Sequence, residues 1–89
     1  AVGQASAAIL AAAVQGCSVD DLRHMADALA LWLNDRAAPM PEWPRLVELA
    51  EARTYPARHG AILLPWRAAA TAAHRAAEAR KGPRKGIGA

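Results

Sequence analysis

The sequence predicts an all-α protein, a compact bundle of four helices followed by a basic, flexible C-terminal tail. Alanine, the strongest helix former, dominates the composition. Apolar residues recur at helical spacing in most segments, and no two segments qualify as strands that could pair with each other. We place the helices at about 4–15, 18–36, 41–54 and 65–81, with 1–81 as one helical domain and 82–89 as the tail.

The segment 18–36 has the strongest pattern in the chain. Ser18 is a good N-cap, and the carboxylate of Asp21 complements the free N–H groups of the first turn. Apolar residues follow at helical spacing, and from Leu29 to Leu33 they surround the helix almost completely. That end must be covered on more than one side, by other helices or by a second subunit.

The other helices are weaker predictions from shorter patterns. Helix 4–15 carries no charge and would be marginal alone in water, so it must pack on another helix, most simply the one that begins at Ser18. A proline-rich connector then leads to the third helix. We expect that helix to begin at Pro41 or Pro44, because proline is tolerated in a first helical turn.

The last third of the chain begins ambiguously. Residues 57–64 fit either a helical turn or a short extended piece, and the lack of a second strand favours a helical turn or a buried connector. We expect Pro65 to open the last helix, in which Trp66 and several alanines form an apolar seam. The tail, 82–89, contains three glycines and a proline, which is typical of a mobile segment.

Charge is distributed unevenly along the chain. The net charge is +3, but residues 17–54 carry −3 and residues 55–89 carry +6. A basic end on an acidic body indicates either an anionic partner or docking between the two halves. Within the basic end, Arg75 could dock with Glu78, which is one helical turn away.

Several protein classes are disfavoured. The single Cys17 excludes an intramolecular disulfide and fits a reducing, cytoplasmic compartment. No apolar run is long enough for a membrane span, and the chain contains no catalytic or phosphate-loop motif, so we expect no enzyme and no cofactor. Asp20, His24 and Asp27 share one helix face at i, i+4 and i+7, but further ligands for a metal are missing, so we expect no metal site.

The segment from Ala8 to Asp27 contains a small residue in its first helix, a glycine turn, and a polar start to the second helix. In this pattern it resembles the two-helix core of helix-turn-helix DNA-binding proteins. The matching positions are Ala12, Gly16, Cys17, Ser18, Leu22 and Met25. The resemblance implies that the second helix faces bases, although Asp20 and Asp21 there would repel phosphates.

From the charge pattern we predict a small nucleic-acid-binding or regulatory protein of the kind found in bacteria and their phages. Its phosphate contacts would come from the basic last helix and tail, where His74 lies among the bases. The predicted contacts are Arg67, Arg75, Arg80, Lys81, Arg84 and Lys85.

The alternative is a helical module for protein interaction or assembly, with no nucleic-acid contact. Its contact residues would be Met40 and Trp43 of the connector, or Leu29 and Leu33 of the second helix. The expected partners are therefore DNA, or a protein that includes a second copy of this chain. We expect neither a membrane nor a small-molecule substrate as a partner.

Overall fold

A computed structural model describes the backbone of residues 1–88 and the side chains of residues 1–81. No strand occurs in residues 1–88, so the all-α prediction is confirmed for that part of the chain. The predicted flexible tail, 82–89, lies outside the residues whose side chains are described. The elements are α1 (Val2–Ala13), α2 (Val19–Asn34), a 3₁₀ helix (Leu46–Thr54), a short 3₁₀ turn (Pro56–Arg58) and α3 (His59–Gly88).

Helix α3 is the element on which the others assemble. Both α1 and α2 pack mainly against it, so the expectation that α1 packs most simply on α2 is wrong. The reason is the apolar face of α3, where Ile62 and Trp66 are fully buried and give α1 large apolar side chains to pack on. The core residues are Ile9, Leu10, Leu22, Ala26, Leu29, Trp32, Leu33, Leu46, Leu49, Ala52, Ile62, Leu63 and Trp66.

One polar side chain lies inside this core. Ser6 of α1 is 0 % exposed, and its hydroxyl donates to the carbonyl oxygen of Ile62 at 2.7 Å. The same hydroxyl accepts from the indole Nε1–H of Trp66 at 2.8 Å. A buried polar group is tolerated when its hydrogen bonds are made, and these two bonds join α1 to α3.

The start of α2 agrees with the prediction from sequence. The Ser18 hydroxyl accepts from the backbone N–H of Asp21 at 3.0 Å, and the Asp21 carboxylate accepts from the backbone N–H of Ser18 at 3.0 Å. This reciprocal pair is a capping box. Gly16 has a φ of 85°, a left-handed conformation that costs glycine little, and it makes the turn between α1 and α2.

The third predicted helix, 41–54, forms only from Leu46, and as a 3₁₀ helix. The residue before it, Arg45, has a φ of 67°, which no helical turn can include. Leu46, Leu49 and Ala52 are buried at a spacing of three, the period of a 3₁₀ helix, whereas Val47 is 63 % exposed. The burial of this segment therefore follows a period of three residues and not the longer period of the α-helix expected from the sequence.

Arg45 is also tied to the first turn of the 3₁₀ helix. Its guanidinium donates to both carboxylate oxygens of Glu48, at 2.8 and 3.2 Å. These hydrogen bonds lower the pKa of Glu48 from its ordinary value and raise that of Arg45. Both side chains are exposed, so the pair sets local geometry more than it stabilises the fold.

Helix α3 begins at His59, not at Pro65, and it absorbs the ambiguous segment 57–64 from His59 onward. A proline inside a helix removes one donor, the one that would serve the carbonyl of Ala61. Ala61 lies at the surface, and the next carbonyl, that of Ile62, accepts from Ser6 in addition. The segment of α3 before Pro65 is thus hydrogen-bonded to α1, a segment far away in sequence.

Arg53 connects the 3₁₀ helix to the C-terminal end of α2. Its Nε–H donates to the carbonyl oxygen of Trp32 at 2.8 Å, and a second guanidinium nitrogen donates to that of Asp35 at 3.0 Å. The guanidinium carbon also lies 4.6 Å from the centre of the Trp32 ring. Carbonyls at a helix C-terminus have no donors within the helix, and Arg53 supplies them.

Replacing Ser6 with alanine will leave the buried indole N–H of Trp66 without an acceptor. We expect the free energy of unfolding, measured by urea denaturation, to fall by about 1–3 kcal/mol. The double variant Ser6→Ala/Trp66→Phe has no orphaned N–H, so its loss should be smaller than the sum of the single losses. Strict additivity would contradict the role assigned to this hydroxyl.

Replacing Arg53 with methionine keeps much of the side-chain volume but removes both hydrogen bonds and the ring contact. We expect a loss of about 1–2 kcal/mol in the free energy of unfolding, with Arg53→Lys intermediate because lysine lacks the planar fork. The control is Arg58→Met, since Arg58 stacks only on the exposed Tyr55. Equal losses for the variants at 53 and 58 would refute the capping role of Arg53.

Candidate functional site

A groove runs between the N-terminal half of α2 and the part of α3 that follows Trp66. Its larger section has a volume of about 450 Å³, and a second section of about 400 Å³ continues it towards Lys81. We call the two together the α2–α3 groove. Its lining residues are Ser18, Val19, Asp20, Arg23, Ala26 and Asp27 of α2 and its cap, with Arg67, Ala70, Thr71, His74, Arg75, Ala77, Glu78 and Lys81 of α3.

Helical periodicity places these side chains together. On α3 the spacing of Arg67, His74 and Lys81 is seven residues, which returns each side chain to nearly the same face. Small residues, Ala26 and Ala70, form the base of the groove where the two helices approach. The charged side chains stand along its rim, at the surface of the protein.

The groove carries charges of both signs. Its cations are Arg23, Arg67, Arg75 and Lys81, and its carboxylates are Asp20, Asp27 and Glu78, so its formal net charge is +1 with His74 neutral. Arg23 and Asp20 pair with each other at 2.9 Å on the surface of α2. A pair this exposed contributes little to stability.

The three groove cations of α3 have no ion-pair partner in the part of the chain whose side chains are described. Arg67, Arg75 and Lys81 form no ion pair with any carboxylate in residues 1–81. The expected docking of Arg75 with Glu78 is therefore absent from this part of the chain. These three cations are available to an anion from outside.

The remaining predicted phosphate contacts do not join the groove in the described residues. Arg80 is exposed but is not among the residues that line the groove. Arg84 and Lys85 lie outside the residues whose side chains are described. The sequence analysis did not predict that α2 contributes to the groove. Arg23 and Asp27 are four residues apart and so lie on one face of α2, and this spacing could have identified that face.

The resemblance to helix-turn-helix proteins rests on the turn and α2. Gly16 makes the turn with a positive φ, and Leu22 is buried as expected. Ala12, however, is exposed, so it does not serve as the small residue that lets the two helices approach. Both helices pack on α3 instead, and this part of the pattern is not realised.

The structure corrects the predicted protein-contact residues. Leu29 and Leu33 are 0 % and 4 % exposed, because the chain itself covers the face of α2 on which they lie, whereas Leu31 between them stays exposed. Trp43 donates its indole N–H to the carbonyl oxygen of Ile9 at 2.9 Å and packs edge-on against Trp66 at 4.9 Å between ring centres. Of this set Met40 alone, 43 % exposed, remains a surface candidate.

Asp20, His24 and Asp27 do not converge on a common point. Asp20 pairs with Arg23, and Asp27 lines the groove. Residues 1–81 contain no group of three histidine, cysteine or acidic side chains placed to hold a metal ion.

Neither a membrane span nor a known family is indicated. No helix in the described part of the chain is long and apolar enough to cross a bilayer. Comparison of the chain with protein-family models, with curated proteins and with solved structures finds no match.

Proposed function

We propose that this protein binds nucleic acid through the phosphate backbone, using the cations of the α2–α3 groove. The observation that carries the proposal is that Arg67, Arg75 and Lys81 share this groove and are unpaired within residues 1–81. Arginine and lysine bind phosphates by neutralising them and releasing condensed counterions. Arg80, which does not line the groove, also remains a candidate contact, as do Arg84 and Lys85, which lie beyond the described side chains.

The length of the cation row fits a strand of duplex DNA. Fourteen residues separate Arg67 from Lys81, which is about 21 Å along a helix axis. One DNA strand carries a phosphate every ~3.4 Å along the duplex axis, so the row spans about six phosphates. A helix lying along the backbone thus meets several phosphates at once, and each contact is weak by itself.

The acidic residues of α2 argue for backbone contact and against base recognition. Asp20 and Asp21 occupy the first turn of α2, the part that would enter a groove of DNA in a helix-turn-helix protein. Two carboxylates there repel phosphates, and Arg23 offsets the charge of Asp20 alone. We therefore expect binding that depends strongly on salt and little on base sequence.

The double variant Arg67→Gln/Arg75→Gln tests the groove directly. Because each phosphate contact contributes about 0.9 to the dependence of log K on log salt, the slope should fall by about 2 units. Fluorescence anisotropy of a labelled duplex of mixed sequence, between 50 and 200 mM salt, measures it.

The matched control is Arg36→Gln/Arg58→Gln, which removes the same charge from exposed residues that do not line the groove. It should leave the slope nearly unchanged. Equal effects of the two double variants would exclude the groove as the contact surface. If the unmodified protein does not raise the anisotropy of the labelled duplex at 50 mM salt, nucleic-acid binding is excluded altogether.

The contribution of the C-terminal end is tested by a chain that ends at Arg80. This truncation removes Lys81, Arg84 and Lys85, and we expect weaker binding with a slope reduced by up to about 3 units. The same anisotropy titration measures it. Tight binding that survives both the truncation and high salt would refute a role for the tail.

A further inference from the structure

We infer that His74 is a pH-dependent phosphate ligand at the centre of the α2–α3 groove. The inference rests on the proposed function. It adds that protonation of His74 controls how tightly the groove binds phosphate. When its imidazole is protonated, His74 adds a cation between Arg67 and Lys81 on the same face of α3.

His74 is the residue of α3 that lies where the two sections of the groove meet. It lines both sections of the groove, as do Val19 and Arg23 across from it on α2. Its side chain is exposed, and its imidazole makes no hydrogen bond within residues 1–81. Both ring nitrogens are therefore available to phosphate oxygens.

The other histidines lack this arrangement. His24 is exposed on α2 but is not part of the groove lining. One ring nitrogen of His59 is 3.0 Å from the carbonyl oxygen of Arg53, at the opposite end of the bundle from Lys81. Among the three histidines, the groove thus contains only His74.

The charges that face His74 are nearly balanced. From α2 these are Asp20, Arg23 and Asp27, and from α3 they are Arg67, Arg75, Glu78 and Lys81. Their formal sum is +1, so one proton on the imidazole doubles the net charge of the groove. In a strongly basic site the same proton would change little.

The direction of the pH effect follows from linkage. A phosphate prefers the protonated imidazole, so binding takes up a proton, and affinity rises as pH falls through the range where histidine titrates. Ordinary carboxylates stay ionised at pH 5.5, since they titrate near pH 4. One extra phosphate contact corresponds to roughly a three- to tenfold gain in affinity near 0.1 M salt.

Duplex affinity of the full chain at pH 7.5 and pH 5.5, at constant ionic strength, tests the inference. The unmodified protein and the control His24→Gln should both gain roughly three- to tenfold at the lower pH. His74→Gln should lose most of that gain. His74→Lys, which is charged at both pH values, should bind at pH 7.5 about as tightly as the unmodified protein at pH 5.5. A pH gain that survives in His74→Gln would overturn the inference while leaving nucleic-acid binding intact.

A second probe separates this inference from the proposed function. Inorganic tripolyphosphate is titrated into the protein while the imidazole chemical shifts of the three histidines are followed by NMR at several pH values. A selective rise in the pKa of His74 on adding tripolyphosphate supports the inference even if no duplex binds. No duplex binding together with no response of His74 to tripolyphosphate would overturn both.

Discussion

The structure depends on the contact between α1 and α3 around the buried hydroxyl of Ser6. An uncharged helix of 12 residues has little stability of its own, and the two hydrogen bonds of Ser6 give it a defined register against Ile62 and Trp66. Trp43 adds a third hydrogen bond to α1, from its indole N–H to the carbonyl oxygen of Ile9. Its ring also packs on Trp66 of α3. With this side of α3 covered, its remaining face is available to α2.

The 3₁₀ helix shows how a connection can determine secondary structure. Left-handed Arg45 separates the prolines from Leu46. The three-residue period of the 3₁₀ helix then places Leu46, Leu49 and Ala52 in the core. A 3₁₀ helix of nine residues is long, and its hydrogen bonds alone would not maintain it. Burial of Leu46 and Leu49 and the contacts of Arg53 with α2 supply the missing stabilisation.

The groove arises because α3 carries large apolar side chains in its first part and small ones in the part that follows Trp66. Up to Trp66 the helix contributes large apolar side chains to the core. From there to residue 81 the half-buried positions are all alanines. Alanines fill little space, so α2 and α3 leave a hollow whose rim is formed by longer charged residues. The charges along this rim are nearly balanced, and this near balance is the basis of the role that we propose for His74.

Interactions local in sequence were predictable from the sequence by itself: the all-α class, the capping box of Ser18 and Asp21, the turn at Gly16, and a basic face on the last helix. Only the tertiary structure decided the 3₁₀ form of 46–54, the start of α3 at His59, the burial of Leu29 and Leu33, and which cations share a groove with Arg23. These features depend on partners far apart in the chain, as with Ser6 and Ile62, 56 residues away. Local propensity and periodicity carry no information about such partners, because they describe one segment at a time.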